Sequence, residues 1–145
     1  MDVIDRFIKI IKPKNIYFGE KDMQQLKIIE HFVKTNHSKT KVIGCKIIRD
    51  KNGIALSSRN FLLSIKEKQI ASKIYNLINN NKQNLIKKKL SLISIKRKIF
   101  MLGVRKIDYV KILDINKLTK PYKRNNKYKI FVAYYLGSTR LIDNI

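Results

Sequence analysis

Asn15-Ile16-Tyr17-Phe18-Gly19-Glu20-Lys21-Asp22-Met23-Gln24-Gln25-Leu26 passes from a strand pattern to a helix pattern through one glycine. Asn15 to Phe18 reads as a brief buried strand ending at Gly19. From about Asp22 to Lys34, Met23, Leu26, Ile29, Phe32 and Val33 recur at helical spacing and form one inner face. A strand feeding a helix through glycine belongs to α/β architecture, where ligands gather at the carboxyl ends of parallel strands. Gly19 lets a ligand approach the backbone closely. The helix start offers unpaired N–H groups and a partial positive charge. Lys21 adds a mobile ammonium suited to a phosphate or a developing oxyanion. Asp22 is short and placed to accept hydrogen bonds from ribose hydroxyls. Gln25, three residues on, shares its helical face. Its amide donates and accepts, which suits a substrate carrying a carboxylate and hydroxyls. A capped surface helix with solvated charges fits the same letters, and this stretch alone leaves both readings open.

On the N-terminal side, Val3, Ile4, Phe7, Ile8 and Ile11 predict a short amphipathic helix that Pro13 stops. On the C-terminal side, Thr35 to Thr40 reads as a loop and Lys41 to Arg49, β-branched and apolar, as a strand. Asp50-Lys51-Asn52-Gly53 is a turn signal, because Asn and Gly tolerate positive φ. Ile54 to Leu56 would return as a strand. Ser64-Ile65-Lys66-Glu67 has the spacing of a capping box, and Ile70, Ala71, Ile74, Leu77 and Ile78 supply a helical face that Asn79-Asn80-Asn81 ends. Lys82 to Leu92 is ambiguous. Ser94 to Leu102 suits a helix with Gly103 at its end. Ile107 to Leu113 alternates like a strand, Tyr122 to Lys127 is a polar turn region, and Lys129 to Leu136 reads as a buried strand broken by Gly137. Arg140 to Asp143 is a last strand. The first part resembles the end of a parallel α/β sheet and the second an α+β appendage.

With 145 residues and 44% hydrophobic content, the chain can bury a core. No apolar run approaches the ~18–20 residues of a membrane span, and the start does not look like a secretory signal. The single cysteine, Cys45, excludes an internal disulfide and fits a reducing compartment. In its apolar stretch it reads as a packing residue. The net charge of +23 has two explanations. One is a nucleic-acid or anionic partner. The other, favoured by the even scatter of lysines, is an AT-rich coding sequence. His31 and His37 are read as surface residues, and no cluster has metal-ligand spacing.

A second segment, Gly53-Ile54-Ala55-Leu56-Ser57-Ser58-Arg59-Asn60, follows the predicted turn. Two hydroxyls and a guanidinium on one loop make a candidate polyphosphate clamp. An ordinary polar loop before the Ser64 helix explains the same letters.

Together with Phe18 to Leu26, with Asp108-Tyr109-Val110 and with Gly137-Ser138-Thr139-Arg140-Leu141-Ile142-Asp143-Asn144, this segment resembles the pantoate–β-alanine ligases, or pantothenate synthetases. Order and spacing hold across nearly the whole chain. The resemblance implies an α/β fold. Residues 1–47 would be the remainder of a nucleotidyltransferase-type, Rossmann-like catalytic domain with a partial parallel sheet. Residues 48–145 would be a small α+β C-terminal lid domain with antiparallel strands. It implies condensation of pantoate with β-alanine, with ATP as substrate and Mg2+ as cofactor, through a pantoyl adenylate, releasing AMP and pyrophosphate.

By the same resemblance, Gly19, Glu20, Lys21 and Asp22 would bind ATP, with Gly19 and Asp22 on the ribose and Lys21 on the phosphates. Gln25 would bind pantoate. Ile48 and Leu56 would frame the adenine through backbone groups. Ser57, Ser58 and Arg59 would form the flexible loop that grips the triphosphate. Lys21, Ser58 and Arg59 are the candidate catalytic residues, acting by charge stabilisation and positioning. A homodimer and a cytoplasmic location are implied as well. Family members begin with a strand, a His-x-Gly-His helix and a further glutamine, none of which is in this sequence. The expectation is therefore that this chain alone is inactive and that the other half lies upstream or in a second chain.

Overall fold

A computed structural model describes residues 2–115 and 127–145. The chain divides into two units, Met1–Ile47 and Ile48–Ile145. The first contains α1 (Asp2–Ile11), β1 (Asn15–Gly19), α2 (Met23–Asn36) and β2 (Lys41–Cys45). Strands β1 and β2 pair in parallel, with Asn15 opposite Lys41 and Gly19 opposite Cys45. Helix α2 buries Met23, Leu26, Ile29 and Val33, the inner face its spacing predicts. Ile8, Ile29 and Val33 form the buried cluster, with Ile4, Ile16, Phe18, Phe32 and Val42 against it. On α1 only Ile8 is buried, while Val3, Phe7, Ile10 and Ile11 stand exposed.

The second unit contains α3 (Ile65–Ile86), α4 (Leu92–Met101) and an antiparallel sheet of order β3-β4-β5. Its strands are β3 (Lys106–Asp114), β4 (Tyr128–Leu136) and β5 (Thr139–Asn144). Ile74, Ile78, Leu85, Ile95 and Ile99 from the helices meet Val110, Ile130, Val132 and Leu136 from the sheet in one core. Each such side chain contributes about 1.5–3 kcal/mol by leaving water. Gly137, at φ +54, turns β4 into β5.

Several boundaries differ from the sequence reading. Helix α3 runs through Asn79-Asn80-Asn81 to Ile86. Its apolar stripe continues to Leu85, and Asn81 donates its side-chain amide back to the Leu77 carbonyl. Helix α4 starts two residues before Ser94, capped by Ser91, whose oxygen accepts from the Ile93 amide. Strand β2 stops at Cys45 rather than Arg49, because β1 offers no partner beyond Gly19. Arg49 instead makes an isolated antiparallel bridge with Ala55, which is all that remains of the predicted returning strand. The predicted turn at Tyr122 to Lys127 lies outside the described residues except for Lys127.

Candidate functional site

In the first unit, Gly19, Glu20, Lys21, Asp22 and Gln25 gather at the carboxyl end of β1. Glu20–Asp22 form a single tight 3-10 turn, and Asp22 then serves as the N-cap of α2. Asp22 makes no side-chain cap hydrogen bond, so the capped-helix reading does not explain its carboxylate. Asp22 and Gln25 are exposed, and Lys21 is half-buried. Gly19 has an ordinary extended backbone, and a Cβ added there would meet nothing within 4 Å. Among the described residues, no neighbour therefore requires glycine here.

The second unit brings together Ile48, Leu56, Ser57, Ser58 and Arg59. The Arg49–Ala55 bridge sets Ile48 beside Leu56, whose amide donates to the Ile48 carbonyl (2.9 Å). That carbonyl keeps a second lone pair for another donor. Both side chains are open to solvent, at 71% and 54% relative exposure. Ser58–Leu62 then winds into one 3-10 turn capped by Ser57, whose hydroxyl accepts from the Arg59 amide (3.3 Å). That acceptor role leaves the Ser57 proton available for donation. Ser58 and Arg59 are exposed, and Arg59 Nη1 reaches the Arg140 carbonyl (3.5 Å). Alongside lies a cavity of about 540 Å3 lined by Asp50, Ile54, Leu56, Ser57, Ser58, Asn60, Phe61 and Lys68.

Residues outside the sequence-based site hold this loop. Asn60 donates its side-chain amide to the Ala55 carbonyl (3.0 Å). Asp50 accepts from the Asn52 and Ile54 amides through one oxygen (2.9 Å each). Asn60 and Asp50 could be picked out from the turn and loop letters. Lys68, on the cavity wall, carried no such signal. The two distant motifs also acquire structural roles. Arg140 donates to Asp108 (2.7 Å), and that contact holds the Asp108 carboxyl below the ordinary range. Asp143 receives Arg49.

Two single residues depart from expectation. Cys45 is exposed at the end of β2 rather than packed. His37 is not a plain surface residue: its side chain is 12% exposed, it lies 2.8 Å from Asp5, and it packs against Phe32. His31 is exposed. Among the described residues, no three His, Cys, Asp or Glu side chains converge to hold a metal ion. Among them, no helix is long and apolar enough to cross a membrane.

Comparison with known proteins gives this geometry a context. A family model described as pantoate-beta-alanine ligase matches residues 1–145. The chain is similar to the pantothenate synthetase of Clostridioides difficile, at 39% identity over 98% of this chain and 52% of that protein. It is 35% identical to the bifunctional pantoate ligase/cytidylate kinase of Trichodesmium erythraeum, over 99% of this chain and 28% of that protein. Among solved structures, it superimposes on a pantoate-beta-alanine ligase from Francisella tularensis complexed with beta-gamma ATP and beta-alanine. The TM-score is 0.76 at 35% identity, covering 99% of this chain and 47% of that one. For the pantothenate synthetase of Thermus thermophilus the TM-score is 0.82 at 27% identity, covering 99% and 53%. The chain spans about half the length of the curated pantothenate synthetases it matches.

Proposed function

This chain belongs to the pantoate–β-alanine ligase family, and from that premise we propose that it supplies the ribose-binding, pantoate-binding and triphosphate-binding parts of an ATP-dependent adenylation site. The observation that carries the reading is the family match over all 145 residues. The clustering of candidate residues within each unit supports it. Met1–Ile47 would be part of the Rossmann-like catalytic domain and Ile48–Ile145 the lid domain.

In the first step, a pantoate carboxylate oxygen attacks the α-phosphorus of ATP and pyrophosphate leaves. In the second, the β-alanine amine attacks the acyl carbon, AMP leaves and the amine gives up a proton. Gly19 and Asp22 would seat the ribose, with Glu20 beside them, and Gln25 would orient pantoate. Ile48 and Leu56 would frame the adenine. Lys21, Ser57, Ser58 and Arg59 would carry the charge that builds on the phosphates. Preorganised cations and donors there lower the barrier without a covalent enzyme intermediate. Mg2+ would travel with the triphosphate, keeping water and phosphate ligands rather than a protein cage. A homodimer and a cytoplasmic location complete the reading. Nothing in the comparisons favours a nucleic-acid-binding module.

The test is ATP–pyrophosphate exchange with pantoate. The 145-residue chain by itself should show none. Mixed with, or fused to, the His-x-Gly-His half of a relative, it should catalyse exchange. In that complex Lys21→Met and Arg59→Met should each cost about a hundredfold or more, the loss typical of one charge-stabilising group. Absence of exchange in the complemented protein would overturn the functional reading. Exchange by the chain unaided would overturn its dependence on the other half. Sedimentation of the complemented protein tests the homodimer.

A further inference from the structure

We propose that Arg49 is a positioning residue for the nucleotide loop, tying the root of that loop to the end of β5 before any ligand arrives. Its relevance to ATP rests on the function proposed above; the holding of the loop does not.

Both terminal nitrogens of the Arg49 guanidinium are engaged. Nη1 and Nη2 donate to the two carboxylate oxygens of Asp143, at 2.7 and 3.0 Å. Nη1 also donates to the Gly53 carbonyl (3.0 Å), and Nη2 to the Asn144 carbonyl (3.1 Å). The plane lies over the Tyr75 ring, 4.3 Å from its centre. Arg49 and Asp143 side chains are 18% and 13% exposed, so the pair is weakly screened and its loss is costly.

Those contacts converge on the turn that precedes the loop. Arg49 pairs with Ala55 across the turn. Gly53, which Arg49 also holds, is packed against Tyr75, and Ser72 of α3 donates to the Asn52 carbonyl (2.8 Å). Ile48 and Leu56 flank Arg49 and Ala55 directly. Downstream, Arg59 reaches the Arg140 carbonyl of the same strand β5. Strand β5 thus grips the root of the segment, at Asp143 and Asn144, and lies within reach of its far end at Arg140. A loop fixed at its root loses less freedom when it closes on a ligand. Only a planar fork can serve the carboxylate bidentately and two carbonyls together; a lysine offers one point charge.

The test uses the full chain with Arg49→Lys and Arg49→Met, and Asp143→Asn as a variant that removes the charge of the pair while keeping the side-chain shape. Ile78→Val, in the core, is the control for a general loss of stability. Three quantities are read: Tm, amide exchange at Leu56 and Asn60, and the Kd for radiolabelled ATP by equilibrium dialysis. Both amides are hydrogen-bonded in the loop, to the Ile48 and Ser57 carbonyls. The expected result is exchange at these amides faster by about tenfold or more than in the control, as local opening becomes easier. The ATP Kd should rise by a similar factor, and lysine should not rescue either. If exchange at Leu56 and Asn60 merely follows Tm, as in Ile78→Val, the inference is overturned. It is equally overturned if exchange rises while ATP affinity stays at the parent value. If the parent chain binds no ATP by itself, as dependence on the other half allows, the Kd is read in the complemented protein with the same two outcomes.

Discussion

Gly53 sits at φ +85, and a Cβ there would come 2.2 Å from the Tyr75 ring. Two separate penalties therefore oppose any side chain at this position. Gly53→Ala should cost about 2–4 kcal/mol, one part from the left-handed backbone and one from the ring. Urea unfolding measures the total. In a Tyr75→Ala background the same substitution should cost less, because only the backbone part remains. An equal cost in both backgrounds would show that the ring is not what glycine makes room for. The turn itself was legible, since Asp50, Asn52 and Gly53 each announce it by local chemistry. Its anchors were not. Arg49 and Asp143 are 94 positions apart, and no local pattern links them. Of the candidate site, the strand-to-helix turn at Gly19 to Gln25 and the loop at Leu56 to Arg59 were legible as local geometry, while their proposed roles rest on the family resemblance. Asn60 and Asp50, which hold the loop locally, were legible too, whereas the distant partners Arg140, Asp143 and Asn144 came only with the fold.

The sheet of the second unit is tied across its width. Asp108 on β3 and Arg140 on β5 form an ion pair spanning β4. The Arg140 contact is the main cause of the lowered Asp108 carboxyl, with Lys106 adding to it. A carboxyl lowered in the folded state stabilises fully above its unfolded value near pH ~4, and that contribution fades as pH falls through the folded value. Asp108→Asn should therefore lose less stability than the parent between about pH 4 and pH 2. Thermal unfolding across that range checks it, and identical acid limbs would rule out the pair as a contributor. Elsewhere, element by element, local rules worked where local chemistry governs. Ser64 and Glu67 form the capping box the letters predict, with the Glu67 carboxylate accepting from the Ser64 amide at 2.8 Å. They failed where a partner decides. The length of β2 depends on β1, and α3 outruns its asparagines because a buried stripe outweighs weak propensity.

At the scale of the whole molecule, the two units are unequal. The second closes a broad core between two helices and three strands. The first relies on Ile8, Ile29 and Val33 as its buried cluster, and four apolar side chains of α1 remain exposed. Hydrophobic periodicity marked α1 as amphipathic but could not say how much of its face this chain would cover. The molecule also carries a single thiol. Cys45 is exposed and stands in register with Gly19, at the end of the sheet proposed to meet ribose. One maleimide dye would thus label this chain at one known address, beside the proposed ribose contact. Alkylation of Cys45 should slow as ATP fills the complemented protein, in step with occupancy. Labelling at the same rate with and without nucleotide would move the proposed ribose contact away from Gly19. The lone cysteine becomes an optical gauge of the proposed site.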